Sequence, residues 1–150
     1  MRGECSMEDK QRQAIEVYDS FFSVTRQLKK LAYQSAVSLG LTVHQIGILN
    51  SVRTNPGQTQ KEVTERMIFA KSRVSIHIDS LVEKGLVLRQ VSELDRRETR
   101  LTITPAGEEL CARYNGEALP YKALESALPQ FSREEIESLI LMHQRLLSRL

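Results

Sequence analysis

Apolar residues recur at helical spacing along most of this chain, and that period is interrupted only once. From about Glu8 to Leu39, the positions Ile15, Tyr18, Phe22, Leu28, Leu31 and Ala36 follow one helical face with no proline to interrupt it. That predicts a helix too long for one small core, so part of its apolar surface is expected to pack on a partner. Thr42-Val-His-Gln45 reads as a capping box opening a second helix with Ile46, Leu49 and Val52 on one side, and Asn55-Pro56-Gly57 closes it with a turn. Thr59-Gln-Lys-Glu62 is another capping box, predicting a short third helix to about Met67. A fourth helix is expected from about Ala70 to Lys84, with Gly85 as its C-terminal cap.

The period then shortens. Leu86–Val91 is strand-like, and Arg100-Leu-Thr-Ile-Thr104 alternates polar with apolar residues. Between them lies the polar stretch Ser92–Glu98, so residues 86–104 predict a hairpin with a charged loop. Helical spacing resumes at Thr104-Pro105, where a proline in the first turn costs no hydrogen bond, and runs through Leu110, Tyr114 and Leu119 to an expected kink or break at Pro120. Ser132-Arg-Glu-Glu135 opens a last helix with the apolar stripe Ile136, Leu139, Ile140, His143, Leu146, Leu147 and Leu150. The predicted class is mainly α (α+β): a winged helix-turn-helix at 42–104, with long flanking helices at 1–39 and 105–150 that serve dimerisation.

The order helix, short helix, helix, two-stranded hairpin is what a major-groove reader requires. A short helix supports a following one that presents its N-terminal end to the bases, while the hairpin loop reaches the flanking backbone or minor groove. The fourth helix fits that part. At ~100° per residue, Val74, Ile78, Leu81 and Gly85 fall on one side. Ser72, Arg73, Ile76, Asp79 and Glu83 fall on the other, with Ser75 at the flank. Its basic residues come first and its acids last.

Charge sharpens the picture only locally. The 150 residues carry a net charge of +2, mild for a nucleic-acid binder. Yet Arg66, Lys71 and Arg73 occur with no acid between residues 66 and 78, and Arg96, Arg97 and Arg100 cluster in the loop and second strand. Such patches hold phosphates on a chain that is otherwise near neutral. No apolar run approaches the ~18 residues of a membrane span, and no signal-peptide pattern opens the chain, so the expected location is the cytoplasm with no membrane partner. Cys5 and Cys111 lie in no metal-ligand spacing and are expected to be free thiols. His44, His77 and His143 are scattered, with no ligand set around them; packed roles are expected, His143 at a dimer seam. With no phosphate loop, nucleophile motif or metal cluster, neither an enzyme nor a cofactor is expected.

Three runs carry a family resemblance: Leu81-Val-Glu-Lys-Gly-Leu-Val87, Asp95-Arg-Arg97 and Leu101-Thr-Ile-Thr-Pro-Ala-Gly107. Spaced as they are, they resemble the signature of the MarR (multiple antibiotic resistance regulator) family over roughly residues 42–110. The resemblance implies a homodimer with interlocked terminal helices that binds double-stranded DNA at an inverted-repeat operator, as a regulator and commonly a repressor. It implies contacts to DNA from Thr59, Gln60, Lys71, Ser72, Arg73, Ser75 and Ile76, with Arg97 entering the minor groove and its neighbour Arg96 serving the same groove or the adjacent phosphate. Asp95 would orient the wing by pairing with an arginine of the reading helix, Arg73. Release by a phenolic or lipophilic effector is a further implication. Two alternatives stay open: a winged-helix protein-interaction module, and a thiol-based regulator using Cys5, which loosely resembles the sensing cysteine of the family's peroxide-responsive branch.

Overall fold

The computed structural model describes residues 6–67 and 70–150. Seven helices and one hairpin follow in order: α1 Met7–Ser38, α2 Val43–Thr54, α3 Gln60–Met67, α4 Lys71–Glu83, β1 Val87–Val91, β2 Thr99–Ile103, α5 Pro105–Glu117, α6 Leu119–Ala127, a 3-10 turn Leu128–Gln130, and α7 Arg133–Leu147. Strands β1 and β2 pair antiparallel, with Val87 opposite Ile103 and Val91 opposite Thr99. The two lie where the period-two pattern falls: β1 starts one residue later than expected and ends at Val91 as expected, and β2 lies one residue earlier at both ends.

One core holds α2, α3, α4 and the hairpin together. Ile48, Leu49 and Val52 of α2 meet Val63 of α3, Val74, Ile78 and Leu81 of α4, and Val87 and Leu101 of the hairpin, all essentially without solvent contact. The apolar side of α4 is thus the one its helical periodicity assigns. Cys111 and Tyr114 of α5 and Ala36 at the end of α1 close the core from the other side.

Local chemistry sets the joints. Helix α4 ends in a Schellman arrangement: the N–H of Gly85 donates to the carbonyl of Val82 and that of Leu86 to Leu81, both at 3.0 Å. This needs Gly85 at φ +72°, which a residue without Cβ adopts freely. The hairpin then returns to the same joint. Thr104 caps α5 by accepting from the Gly107 N–H at 3.1 Å, and its hydroxyl donates to the Gly85 carbonyl at 2.7 Å. A Cβ on Gly107 would collide with the Leu86 carbonyl oxygen, so only glycine allows α5 this close to the end of α4. The Thr-Pro-Ala-Gly run is therefore a clamp between reading helix, wing and α5.

The break expected at Pro120 comes slightly earlier, at Ala118, which ends α5 and begins α6. A proline's ring clashes with the carbonyl four residues back, here that of Gly116, so the first helix has to stop before it. Pro120 then sits in the first turn of α6. The Leu119 N–H donates to Ser35 Oγ at 2.9 Å, tying this junction to α1.

The terminal helices differ from the lobe. Helix α1 buries only Ser35 and Ala36 of its 32 residues, and α7 buries none of its 15. Ile15, Tyr18, Phe22, Leu139, Ile140, Met142 and Leu147 are all exposed. No helix among the described residues is long and apolar enough to cross a membrane.

Candidate nucleic-acid interface

Helix α4 presents its outer face at the open side of the core. Lys71, Ser72, Arg73 and Ile76 are exposed and Ser75 is half-buried, while Val74 and Ile78 between them point inward. Ile76 is 67% exposed, a large apolar side chain held out among polar ones. The first turn contains no acid, and its N-cap, Ala70, supplies no side-chain oxygen. The leading N–H groups of α4 therefore lack a side-chain acceptor, and the positive end of the helix dipole is unscreened.

The supporting helix is started by the capping box expected from its sequence. Glu62 N–H donates to Thr59 Oγ1 at 3.2 Å, and Thr59 N–H donates to the Glu62 carboxylate at 2.8 Å. That backbone donor is the main reason the Glu62 carboxyl is held below its ordinary range, with smaller help from Thr59 Oγ1, Arg100 and Arg66 against some desolvation. Thr59 itself is buried, its hydroxyl accepts in the cap, and it bridges to Arg100 of β2, so it anchors α3 to the hairpin at the edge of the cleft between them. Its neighbour Gln60 is half-exposed.

The wing tip is folded on itself. Ser92 N–H donates to the Glu98 carbonyl at 2.9 Å and Glu98 N–H to the Asp95 carbonyl at 3.0 Å, closing the loop. Buried Ser92 accepts from the N–H groups of Leu94 and Asp95 at 3.3 and 3.4 Å. Asp95 Oδ1 accepts from Arg97 N–H at 2.9 Å, an Asx turn that fixes where the Arg97 side chain leaves the backbone. Among the described residues no ion pair joins Asp95 to Arg73, so the expected partner is corrected. Asp95 acts on its own loop, two residues away, because the turn offers a backbone donor at bonding distance.

Helices α3 and α4 and the hairpin converge on one cleft of about 520 Å³ lined by Thr59, Gln60, Lys61, Thr64, Glu65 and Lys71 on the helical side and by Arg97, Glu98 and Thr99 on the wing. Lys71 and Arg97, 26 residues apart in sequence, share it. Arg96 is exposed beside them. Arg100 lies elsewhere, donating to the Gly57 carbonyl at 3.0 Å and pairing with Glu98 at 3.7 Å.

One contact had no signal in the periodicity. Arg89 of β1 donates from Nη2 to Asp79 Oδ1 of α4 at 2.6 Å. A basic residue on a strand and an acid on the preceding helix, ten apart, form no recognisable local pattern.

The titratable residues away from the face have structural roles. His77 of α4 meets His44 of α2 edge to face, ring centroids 5.5 Å apart. Burial pushes the His77 imidazole below its usual value, with His44 and Arg73 adding to the effect. Among the described residues no group of three or more His, Cys, Asp or Glu is placed to hold a metal. His143 of α7 packs against Phe21 of α1 with centroids 5.0 Å apart. Cys111 is buried, and burial raises its thiol above the ordinary range, so the thiolate needed for redox chemistry is disfavoured. Cys5 lies outside the described residues.

A three-helix core with a two-stranded wing and an exposed reading helix defines the winged helix-turn-helix class. Residues 39–98 of the chain match the model of the MarR family. A candidate transcriptional regulatory protein for the hcr operon of Thauera aromatica is 35% identical over 74 residues, 49% of this chain and 45% of that protein. The match thus spans less than half the relative's length. Among solved structures, the multiple antibiotic-resistance repressor of Listeria monocytogenes is 27% identical, covering 93% of this chain and 96% of that one, with TM-score 0.65. The Staphylococcus aureus MepR chain in its complex with DNA shares the fold at TM-score 0.73, with 24% identity over 89% of this chain and 97% of that one.

Proposed function

We propose that this protein is a homodimeric transcriptional regulator, acting as a repressor, that binds an inverted-repeat operator in double-stranded DNA. The observation that carries the reading is the convergence of the acid-free first turn of α4 with Lys71 and Arg97 on a single cleft. Arg73 and Ser72 reach base edges or phosphates in the major groove, and Ile76 meets thymine methyls there. Arg97, with Arg96 beside it, enters the minor groove, where a narrow A·T-rich tract attracts guanidinium by its deeper negative potential. A protein-docking module would need neither the basic first turn nor the wing arginines.

The dimer follows from the uncovered stripes of α1 and α7. Interlocking them would bury upwards of about 2,000 Å² in total, the range of obligate interfaces. In this reading an effector acts by changing how the terminal helices hold the lobe; a recess of about 220 Å³ between α1 and α5, lined by Ser35, Arg113 and Tyr114, joins those elements.

Selection from a random duplex pool tests the function. The expected product is an inverted repeat with half-site centres about one helical turn apart, roughly 10 bp. Recovery of no enriched sequence, or of single half-sites bound by a monomer, would overturn it.

A further inference from the structure

We propose that Asp79 and Arg89 form a brace between the reading helix and the wing, which sets how far Arg97 stands from the bases that α4 reads. The inference rests on the DNA-binding function above. Among the described residues this is the one ion pair joining α4 to the hairpin, and its 2.6 Å N–H···O contact is short and directional. The strands otherwise meet α4 through apolar packing of Ile78, Leu81 and Val87, which fixes a separation but is non-directional. Backbone hydrogen bonds of Leu101 with Gly57 and Gln58 and the Thr104–Gly85 contact pin the base of the hairpin, and the ion pair adds direction on the side that faces the outer stripe of α4.

Both partners are held from behind. Arg89 lies on the same strand face as buried Val87, opposite fully buried Leu101 in the ladder, so its backbone moves only with the core. Asp79 lies on the outer stripe of α4, nearly two turns beyond Ser72 and one beyond Ile76. An uncompensated carboxylate there would repel the phosphates the helix approaches; the Arg89 guanidinium offsets that charge. The pair thus joins the face that reads the major groove to the strand that carries the wing.

Geometry makes the tilt matter. A five-residue strand at ~3.3 Å per residue places the tip about 17 Å from its base. A rotation of about 10° at the base moves the tip by about 3 Å, close to the ~3.4 Å between successive nucleotides. A loosened brace would let Arg97 sample neighbouring positions and lose its preference among flanks, while the bases under α4 are read as before.

The test is a double-mutant cycle on the operator selected by the wild-type protein. Asp79→Asn, Arg89→Gln and the double variant are compared on sites with A·T-rich and G·C-rich flanks, and on sites with one base pair inserted between core and flank. Each single variant should lower the flank preference about three- to fivefold, the scale of one partly exposed ion pair, and the double variant should lower it no further. Tolerance of the insertion should rise, and preference at core positions should stay within about twofold. Additive losses, or an unchanged flank ratio with only a lower melting temperature, would overturn the brace. So would a change of core base preference in Asp79→Asn alone, which would make Asp79 a direct base contact. If the wild-type protein selects no DNA, the parent reading fails; if it does and the variants match it, only the brace fails.

Discussion

Helices α4 and α7 are nearly the same length, 13 and 15 residues, and each carries an apolar stripe at helical spacing. In α4 the stripe disappears into the core: Val74, Ile78 and Leu81 have no solvent contact. In α7 every apolar residue but Ile136 is exposed, and Leu139, Ile140 and Met142 are about half open to solvent. The difference is one of surroundings, not of pattern. Around α4 the chain supplies α2, α3 and β1; against α7 it supplies little, with a tilted ring contact between Phe21 and His143. An amphipathic stripe states that a helix needs a core, without saying whose. The winged lobe completes its own, and the terminal helices leave theirs open, the surface the proposed dimer would share.

Replacing one residue on the shared side gives the largest expected effect. Leu139→Asp should separate the dimer, because two-fold symmetry applies the substitution twice: burying a leucine is worth about 1.5–3 kcal/mol per copy, or roughly 3–6 kcal/mol per dimer. Sedimentation velocity at micromolar concentration checks it, and a dimer that survives would show that α7 is not in the interface. Far-ultraviolet circular dichroism should retain the helical signal of the lobe.

Core substitutions act on the other side of the comparison. Ile78→Ala should destabilise the lobe by about 2–5 kcal/mol. Gly107→Ala should cost about 1–3 kcal/mol or more, because its methyl group meets the Leu86 carbonyl. Thermal denaturation of the dimer reads both. If either were neutral, the clamp between α4 and α5 would be looser than its contacts indicate.

Arg97→Ala separates binding from stability. The tip is exposed, so melting temperature and dimerisation should not change. Affinity should fall, and the slope of log affinity against log salt should flatten by about one unit for each phosphate that the missing guanidinium no longer neutralises. Preference for A·T-rich flanks should weaken with it. Equal affinity and slope in wild type and variant would remove the wing from the interface.

The smallest effect is that of pH. The folded-state pKa of His77 is depressed below its unfolded value, so its protonated form is disfavoured in the fold. Its contribution is therefore fully present above the unfolded value near 6.5. It is lost as pH falls through that value toward the folded one. Stability measured by urea denaturation should decline over this window in wild type and less so in His77→Gln. A parallel decline in both would assign it to other groups.

Short-range features are legible along the chain itself. The capping boxes at Thr42, Thr59 and Ser132 and the Thr104 cap on Gly107 each use residues three apart, and the glycine joint at 85 uses residues within five. Sequence spacing shows such pairs directly. The polar tip from Ser92 to Glu98 was legible as a turn, but not the identity of its bonds. Asp95 has an acceptor that several donors would satisfy, and the nearest proved to be the Arg97 N–H rather than the Arg73 side chain. For Thr59 the capping role was visible; its burial against β2 depends on a strand some 40 residues later.

By itself, then, the sequence determined where the capped helices begin, which face of each is apolar, and where the two-strand period interrupts them, because those properties arise from neighbours along the chain. Tertiary structure alone decided which apolar faces the chain covers with its own residues and which it leaves open. It also placed Lys71 beside Arg97 and Asp79 against Arg89. These juxtapositions depend on the angles at which packed elements cross, and such angles emerge from many weak apolar contacts acting together. No single residue carries them.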